Sequence, residues 1–532
     1  MPADYDTITP GWQRLSIGEL MTLWAQTPAT PMNIAMLGLL SPAPTLVDEA
    51  GALRLAAVRS AVADRLDRAP ALRRRIRRTR PGQGLPVWAD DGAFDVARHV
   101  DAADLPGFGV DALLTWAATR AAAPLPDGRP PWRMTLVAGL GSGQVGLLLV
   151  MHHVLADGLT AVALAGALLD TAPDAAPAPT GWTPAPPPTG WTLARDAAAD
   201  RLRALTRRLR TATRRPARPQ PLTARRGPTA PHETTTPHET DAPHETDGPR
   251  SAPRPHKTTT PHETDAPHET NGPRSAHGPR ETGGPRETDG LRRELRVARD
   301  ALAVTAPDLG LPSPDGAERR AAGLCWRLDG VRRAAREYGV TVNDVMLAAV
   351  AGGMRGLLLA RGVPVAGLTL RVSVPVAAPA GNRNAGGTLP FVLGLPVDEP
   401  DPAAALRRIG RDSRAAKAGR DRGYGGPAQS PLVPPLLVRL GAVWLRRYVG
   451  RRINLYLTNV PGPTNAHWLC GARLHTVFPI APITAGVPVA VAVLSYDGTL
   501  SLTVDTGPGI DLRAFADGAG QTVAALMRTA EH

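Results

Sequence analysis

Only two cysteines, Cys325 and Cys470, occur in the sequence, and they stand far apart. That excludes a disulfide framework and a cysteine-ligated metal site, and it suits a reducing compartment. Lysine is just as scarce, with Lys257 and Lys417 alone. The formal net charge of +13 is therefore an arginine excess in a chain rich in Ala, Gly and Pro. No RNP, zinc-finger or helix-turn-helix pattern accompanies it, so nucleic acid is not an expected partner. Aromatic residues make up only 4%. Two long uncharged stretches, residues 20–47 and Phe478–Tyr496, are each broken by several prolines, and neither reads as a membrane-spanning helix. The N-terminus lacks the basic and apolar regions of a signal peptide, so the expected location is cytoplasmic. A nucleophile-elbow GxSxG, a P-loop and an HExxH motif are all missing. Gly141–Gly146 matches GxGxxG but precedes an apolar strand pattern instead of following one. It reads as a hairpin turn, not a dinucleotide site.

What is present centres on Val145–Leu169. A continuous apolar run from Val145 to Met151 suits a buried strand, and the Ala- and Leu-rich residues after Gly158 suit a buried helix. Between them stand His152, His153, Asp157 and Gly158, on the kind of connection where α/β folds present their chemistry. Neutral imidazole is a general base near neutral pH. Asp157 either orients such a base or holds the turn as a helix N-cap, and Gly158 permits tight backbone there.

His152-His153-Val154-Leu155-Ala156-Asp157-Gly158 resembles the HHxxxDG motif of the bacterial wax ester synthase/diacylglycerol acyltransferase family, within the wider HxxxD group of CoA-dependent acyltransferases. Other segments resemble that family in order along the chain. They are Leu15–Glu19, Pro31–Met32, Pro86-Val87-Trp88, Phe94-Asp95 with His99, Leu105-Pro106-Gly107, Pro130-Pro131-Trp132, Asn343-Asp344-Val345 and Thr458-Asn459-Val460-Pro461-Gly462-Pro463. Glu19 stands where the family has Asp, and Asn33 where it has His, a change expected at the site entrance. The family's Ser-Arg pair after Pro375-Val376 is missing at Ala377, and its LNGP is absent before Arg319-Arg320.

The resemblance implies an α/β fold of two chloramphenicol-acetyltransferase-like domains, each a mixed sheet covered by helices, with a disordered insertion between them. The expected boundaries are 10–190 for the N-terminal domain, 191–228 for a basic linker helix, 229–290 for a low-complexity tract and 291–532 for the C-terminal domain. From Arg195 to Arg226 eleven arginines face two aspartates. A basic amphipathic helix there fits either an anionic membrane surface or a solvated linker. Thr229–Gly290 repeats PHETDAPHET and GPR units with almost no apolar residue, so it cannot bury a core. It holds seven of the thirteen histidines, but Pro-bounded units cannot align them as ligands on one helix face. Leu53–Arg80 is Arg-rich with a helical period and reads as a solvated basic face. Leu328–Tyr338 and the segment after Thr341 read as helices, with Asp344 in a first turn. Gly486–Tyr496 and Thr499–Thr506 read as a hairpin through Asp497-Gly498.

The implied activity is O-acyl transfer from acyl-CoA to diacylglycerol or a long-chain alcohol. His153 would be the general base, assisted by His152 and Asp157. Gly158, Asn343, Asp344 and Asn459 would be supporting residues, with the TNVPGP turn as a source of oxyanion donors. No metal and no cofactor beyond the acyl-CoA co-substrate is implied. The partners would be acyl-CoA, a lipid hydroxyl acceptor, and an anionic membrane or lipid-droplet surface on which the protein is peripheral. Two alternatives stay open: the same fold with another hydroxyl acceptor or a carrier-bound donor, and a non-catalytic lipid-binding relative. His99 reads as structural.

Overall fold

The computed structural model describes residues 11–175, 181–213, 305–314, 316–376, 389–420, 435–484 and 486–529. The PHET tract, Ala377 and the residues just after it lie outside the described residues.

Along the chain the first elements are β1 (Trp12–Arg14), α1 (Ile17–Ala25), β2 (Asn33–Leu40), α2 (Leu55–Arg65), β3 (Arg74–Arg77), β4 (Val87–Asp90) and β5 (Val100–Asp104). They continue with α3 (Val110–Ala121), β6 (Trp132–Ala138), β7 (Val145–His152), α4 (Gly158–Ala167) and α5 (Gly190–Thr213). The C-terminal half holds β8 (Arg320–Arg327), α6 (Leu328–Glu337), α7 (Val342–Ala360), β9 (Thr369–Val376), β10 (Leu389–Pro396), α8 (Pro402–Arg420) and α9 (Pro435–Val449). It ends with β11 (Leu455–Pro461), β12 (Trp468–Leu469), β13 (Ala472–Ile480), β14 (Val489–Tyr496), β15 (Thr499–Thr506) and α10 (Arg513–Thr529).

Two six-stranded mixed sheets organise the molecule, with strand orders β12-β13-β2-β7-β6-β5 and β10-β9-β11-β14-β15-β8. β7 is buried at every position, which is why its sequence is a continuous apolar run and not an alternating one. One face of its sheet packs α3 through Leu113, Leu114 and Ala117. The other packs α2 and α4 through Val58, Val62 and Leu164. β6 and β7 are antiparallel, so Gly141–Gly146 does turn a hairpin. β14 and β15 pair from Val489↔Thr506 to Tyr496↔Thr499, around Asp497 and Gly498, both at positive φ.

The second sheet is covered by α7 and α10. These helices approach closely because both are glycine-bearing at the crossing: a Cβ on Gly356 would lie 2.5 Å from the Ala514 carbonyl oxygen. α7 is long and apolar enough to cross a bilayer, but two thirds of its apolar window is buried in this core. Thr341 caps it in a capping box with Asp344.

β12 and β13 leave the C-terminal half and join the first sheet, where β13 pairs antiparallel with β2 from Ile480↔Ala35 to Leu474↔Leu40. The first sheet therefore draws strands from both halves of the sequence, whereas every strand of the second comes from the C-terminal half.

The Leu53–Arg80 expectation needs correction. Helix α2 stops at Arg65, 3₁₀ turns follow, with Pro70 starting the second, and Arg74–Arg77 is a strand paired with β4. Nor is the face uniformly solvated. Arg65 and Arg73 are each only 5% exposed. Arg65 grips Asp170 through two of its nitrogens, while Arg73 bonds Asp67 and stacks its guanidinium 4.7 Å from the Trp182 ring centroid. Arg65 is buried together with its partner and Arg73 pairs with a partly exposed one, so neither buried arginine is left without a carboxylate.

Candidate active site

The end of β7 lies beside the start of β2. The Asn33↔His152 pair closes the ladder, and the His153 N–H donates to the Met32 carbonyl oxygen at 2.7 Å. The chain then turns into α4, where the Asp157 carboxylate accepts from the Thr160 N–H at 2.9 Å as the N-cap. Asp157 thus holds the turn. Among the described residues the His153 imidazole makes no hydrogen bond.

The two histidines differ. His152 is 6% exposed. Its Nδ1 accepts from the Val154 N–H at 3.0 Å, and its Nε2 lies 2.8 Å from Gln26 Oε1. The first bond requires an unprotonated Nδ1, so the second is Nε2–H donating to the amide oxygen. Burial, reinforced by His153, pulls the His152 pKa down to about 4. His152 is a neutral brace with a fixed tautomer. His153, half-buried, faces a cavity of about 620 Å³.

That cavity lies between the two sheets. Met32, Ile34 and Met36 of the β2 segment form part of one wall, and Gly158 and Val162 of α4 form another. Thr458, Asn459, Val460 and Pro461 of β11 close it from the second sheet. Contact between the two motifs explains the glycine of HHxxxDG: a Cβ on Gly158 would stand 2.7 Å from Val460 Cγ2. The glycine of TNVPGP has a parallel reason, because a Cβ on Gly462 would meet the Ser495 carbonyl oxygen at 2.2 Å. The expected TNVPGP turn begins later than the sequence indicates. Thr458–Pro461 continue β11 in parallel register with β14, from Thr458↔Ala492 to Pro461↔Ser495.

Asn459 Nδ2 reaches Asn343 Oδ1 at 3.5 Å, tying the first turn of α7 to the cavity wall. Asp344 is 2% exposed, and its Oδ2 accepts from the Thr341 N–H and hydroxyl at 2.9 and 2.7 Å. Neither Asn343 nor Asp344 lines the cavity, whereas His153, Asp157, Gly158 and Asn459 do. Glu19 caps α1 through the Ser16 N–H at 2.6 Å and accepts from Trp88 Nε1 at 2.8 Å, joining the LS and PVW segments. The Asn33 expectation is corrected. Its side chain is buried and donates to the Ala121 and Ala123 carbonyl oxygens at 2.9 Å, closing the C-terminus of α3, not an entrance. His99 is sandwiched between Phe94 and Trp132, its Nδ1 2.9 Å from the Trp132 carbonyl oxygen, and burial lowers its pKa.

Sequence reasoning missed Gln26, whose only signal is spatial, and the pair Tyr456–Thr484. Tyr456 accepts from the Thr484 hydroxyl at 2.9 Å, and burial pushes its pKa to about 12. The tyrosine therefore stays protonated on the cavity wall. Strand alternation toward Thr458 was the signal available for it.

A model of the wax ester synthase/diacylglycerol acyltransferase catalytic domain matches residues 15–252, and one of the WS/DGAT C-terminal domain matches 384–526. The chain belongs to this family. It is an acyltransferase. Its relatives include a putative diacyglycerol O-acyltransferase of Mycobacterium tuberculosis, 25% identical over 99% of this chain and 93% of that one. Another is the probable diacyglycerol O-acyltransferase tgs1 of the same species, 26% identical over 88% of this chain and 87% of that protein. The solved wax ester synthase/diacylglycerol acyltransferase from Marinobacter aquaeolei VT8 superposes on this acyltransferase with a TM-score of 0.58 at 20% identity, covering 98% of this chain and 100% of that one. A starter condensation domain of rhizomide synthetase, solved with C8-CoA, gives 0.50 at 13% identity, covering 98% and 95%. These structures share the two-domain α/β fold of chloramphenicol-acetyltransferase type that the motifs implied. Among the described residues of this acyltransferase, no group of three or more His, Cys, Asp or Glu side chains is placed to hold a metal ion.

Proposed function

We propose that the enzyme transfers a fatty acyl group from acyl-CoA to the hydroxyl of diacylglycerol or a long-chain alcohol, with His153 as general base. One observation carries the reading. His153 stands on the wall of a largely apolar cavity of about 620 Å³ with its ring uncommitted, while its neighbour His152 is locked neutral. His153 takes the proton as the acceptor oxygen attacks the thioester carbonyl. The C–S bond breaks, and the proton passes to the departing CoA thiolate, leaving an ester and free CoA. Positioned base catalysis contributes roughly 10²–10⁴-fold. Holding both substrates in one cavity supplies much of the rest. Asp157 and Gly158 position the base by fixing the turn. Asn459, which lines the cavity and is braced by Asn343, is the candidate donor to the developing oxyanion. Asp344 fixes the start of α7.

Lipid substrates require a lipid surface, and the protein carries exposed apolar residues beside arginines. On α5, Trp191, Leu202 and Leu205 are exposed among Arg195, Arg201 and Arg203. On α9, Leu436, Leu440 and Trp444 repeat every fourth residue. This supports peripheral attachment to an anionic membrane or lipid-droplet surface from the cytoplasmic side.

The test offers purified protein palmitoyl-CoA with hexadecanol or with dioleoylglycerol and measures ester and free CoA. Stoichiometric ester and CoA support the reading. Binding of both substrates without ester formation refutes it in favour of a non-catalytic lipid-binding protein.

A further inference from the structure

A second space adjoins the cavity that His153 faces. Met36, Val162 and Leu494 line both that cavity and a narrow slot of about 50 Å³ beside α4. Two elements step along the whole path. On β2 every second residue shares a face: Ile34 and Met36 line the cavity, then Met36 and Gly38 the slot. On α4 every fourth residue does so: Gly158 and Val162 line the cavity, then Val162 and Gly166 the slot. The path begins at Met32, whose carbonyl oxygen accepts from the His153 N–H. From Met32 to Gly38 an extended strand advances roughly 20 Å. One leaflet of a bilayer holds its acyl chains within about 15 Å, half of a hydrocarbon core about 30 Å thick. The path is thus long enough for a long hydrocarbon chain.

The far end is closed by groups already committed to each other. His467 Nδ1 donates to the Asn465 carbonyl oxygen at 3.0 Å, and its N–H donates to the Tyr496 hydroxyl at 2.8 Å. That hydroxyl donates to the Leu474 carbonyl oxygen at 3.1 Å. Apart from His467 Nε2, what remains for an occupant is an apolar lining. Both glycines make room. A Cβ on Gly38 would stand 2.5 Å from Leu474 Cδ1, and a Cβ on Gly166 would meet only His467 Nε2, at 3.8 Å.

We infer that this slot receives the tail of the hydrocarbon chain of a substrate reacting at His153, and that Gly38, Gly166 and Leu474 set the longest chain accepted. The inference rests on the acyl-transfer reading above. The occupant is an unbranched alkyl chain, from either the acyl donor or the acceptor, and the experiment separates the two.

The experiment compares wild type with Gly166→Leu, which fills the slot, and Leu474→Ala, which widens it. kcat/KM is measured for octanoyl-CoA and palmitoyl-CoA with a fixed alcohol, and for octanol and hexadecanol with a fixed acyl-CoA. Gly166→Leu is expected to lower the preference for the sixteen-carbon substrate at least roughly tenfold in one of the two series, a change of the size a few methylenes produce. Leu474→Ala is expected to move it the other way. The series that responds identifies whose tail enters. Folded variants with unchanged ratios in both series overturn the inference. If Gly166→Leu does not fold, Gly166→Ala carries the same test with a smaller shift. Calorimetric binding of free octanoate and palmitate is measured alongside. A wild type that forms no ester refutes the acyl-transfer reading, and the slot then stands or falls on whether Gly166→Leu loses discrimination for palmitate.

Discussion

The buried His152 makes the fold acid-sensitive in a way that a single substitution isolates. Its pKa falls from an ordinary 6.5 to about 4, chiefly through burial. A base with a lowered folded-state pKa leaves stability intact above the unfolded value. As pH falls from about 6.5 to about 4 the unfolded chain takes up a proton that the native state refuses, and stability is lost. At 1.36 kcal/mol per pKa unit, the loss approaches about 2 kcal/mol near pH 5 and about 3 kcal/mol near pH 4. Protonating Nδ1 would also break the bond it accepts from the Val154 N–H. Asp505 titrates in an overlapping window with the opposite sign. Burial raises it to about 8, so the native state gains stability as pH falls from about 8 toward 3.8. The wild-type profile alone is therefore not diagnostic. The assay is denaturant unfolding of wild type and His152→Asn at several pH values between 7 and 4.5. Asparagine keeps an acceptor near the Nδ1 position and cannot titrate. The variant is expected to be less stable at pH 7, by about 1–3 kcal/mol for the lost contact with Gln26, and the gap to close as pH falls. A gap of constant size across the range would refute the claim that His152 is held neutral.

His153→Ala should lower the turnover number by roughly 10²–10⁴ with melting temperature nearly unchanged, since the base is lost but little core is; full turnover by the folded variant ends the mechanism. Gly158→Ala should cost about 1–3 kcal/mol by forcing Val460 away, and Val460→Ala in the same chain should restore both stability and rate, as chemical denaturation and ester formation will show. Asp170→Asn leaves Arg65 buried without its full partner, and thermal unfolding should reveal a loss of about 3–5 kcal/mol. Deleting Thr229–Gly290 should leave specific activity and melting temperature near those of the full chain, because the tract carries almost no apolar residue; a fall in activity alone would assign it a part in substrate delivery.

Short-range features were legible because local physics dictates them. The apolar run ending in His152 and His153 suits a buried strand reaching a turn, and β7 is that strand. Asp157 and Thr341 are good caps in any context, and Asp497-Gly498 closes a hairpin by conformational preference alone. The ordered series of motifs marked the family and with it the fold. Tertiary structure decided the rest. Whether an arginine is solvated or buried depends on a distant carboxylate, so Arg65 and Arg73 looked like surface charge until Asp170, Asp67 and Trp182 were in place. The assignment of roles to two adjacent histidines needed Gln26, far away in sequence. The crossing of β13 into the first sheet is a long-range pairing that no local period encodes, yet it joins β2, α4 and β11 in walling the space His153 faces. Sequence by itself determined the family motifs and the local turns that hold them, because caps and turns depend on neighbouring residues. Only the packed fold determined the cavity they share, because its walls come from both halves of the chain and exist only when those halves exclude water together.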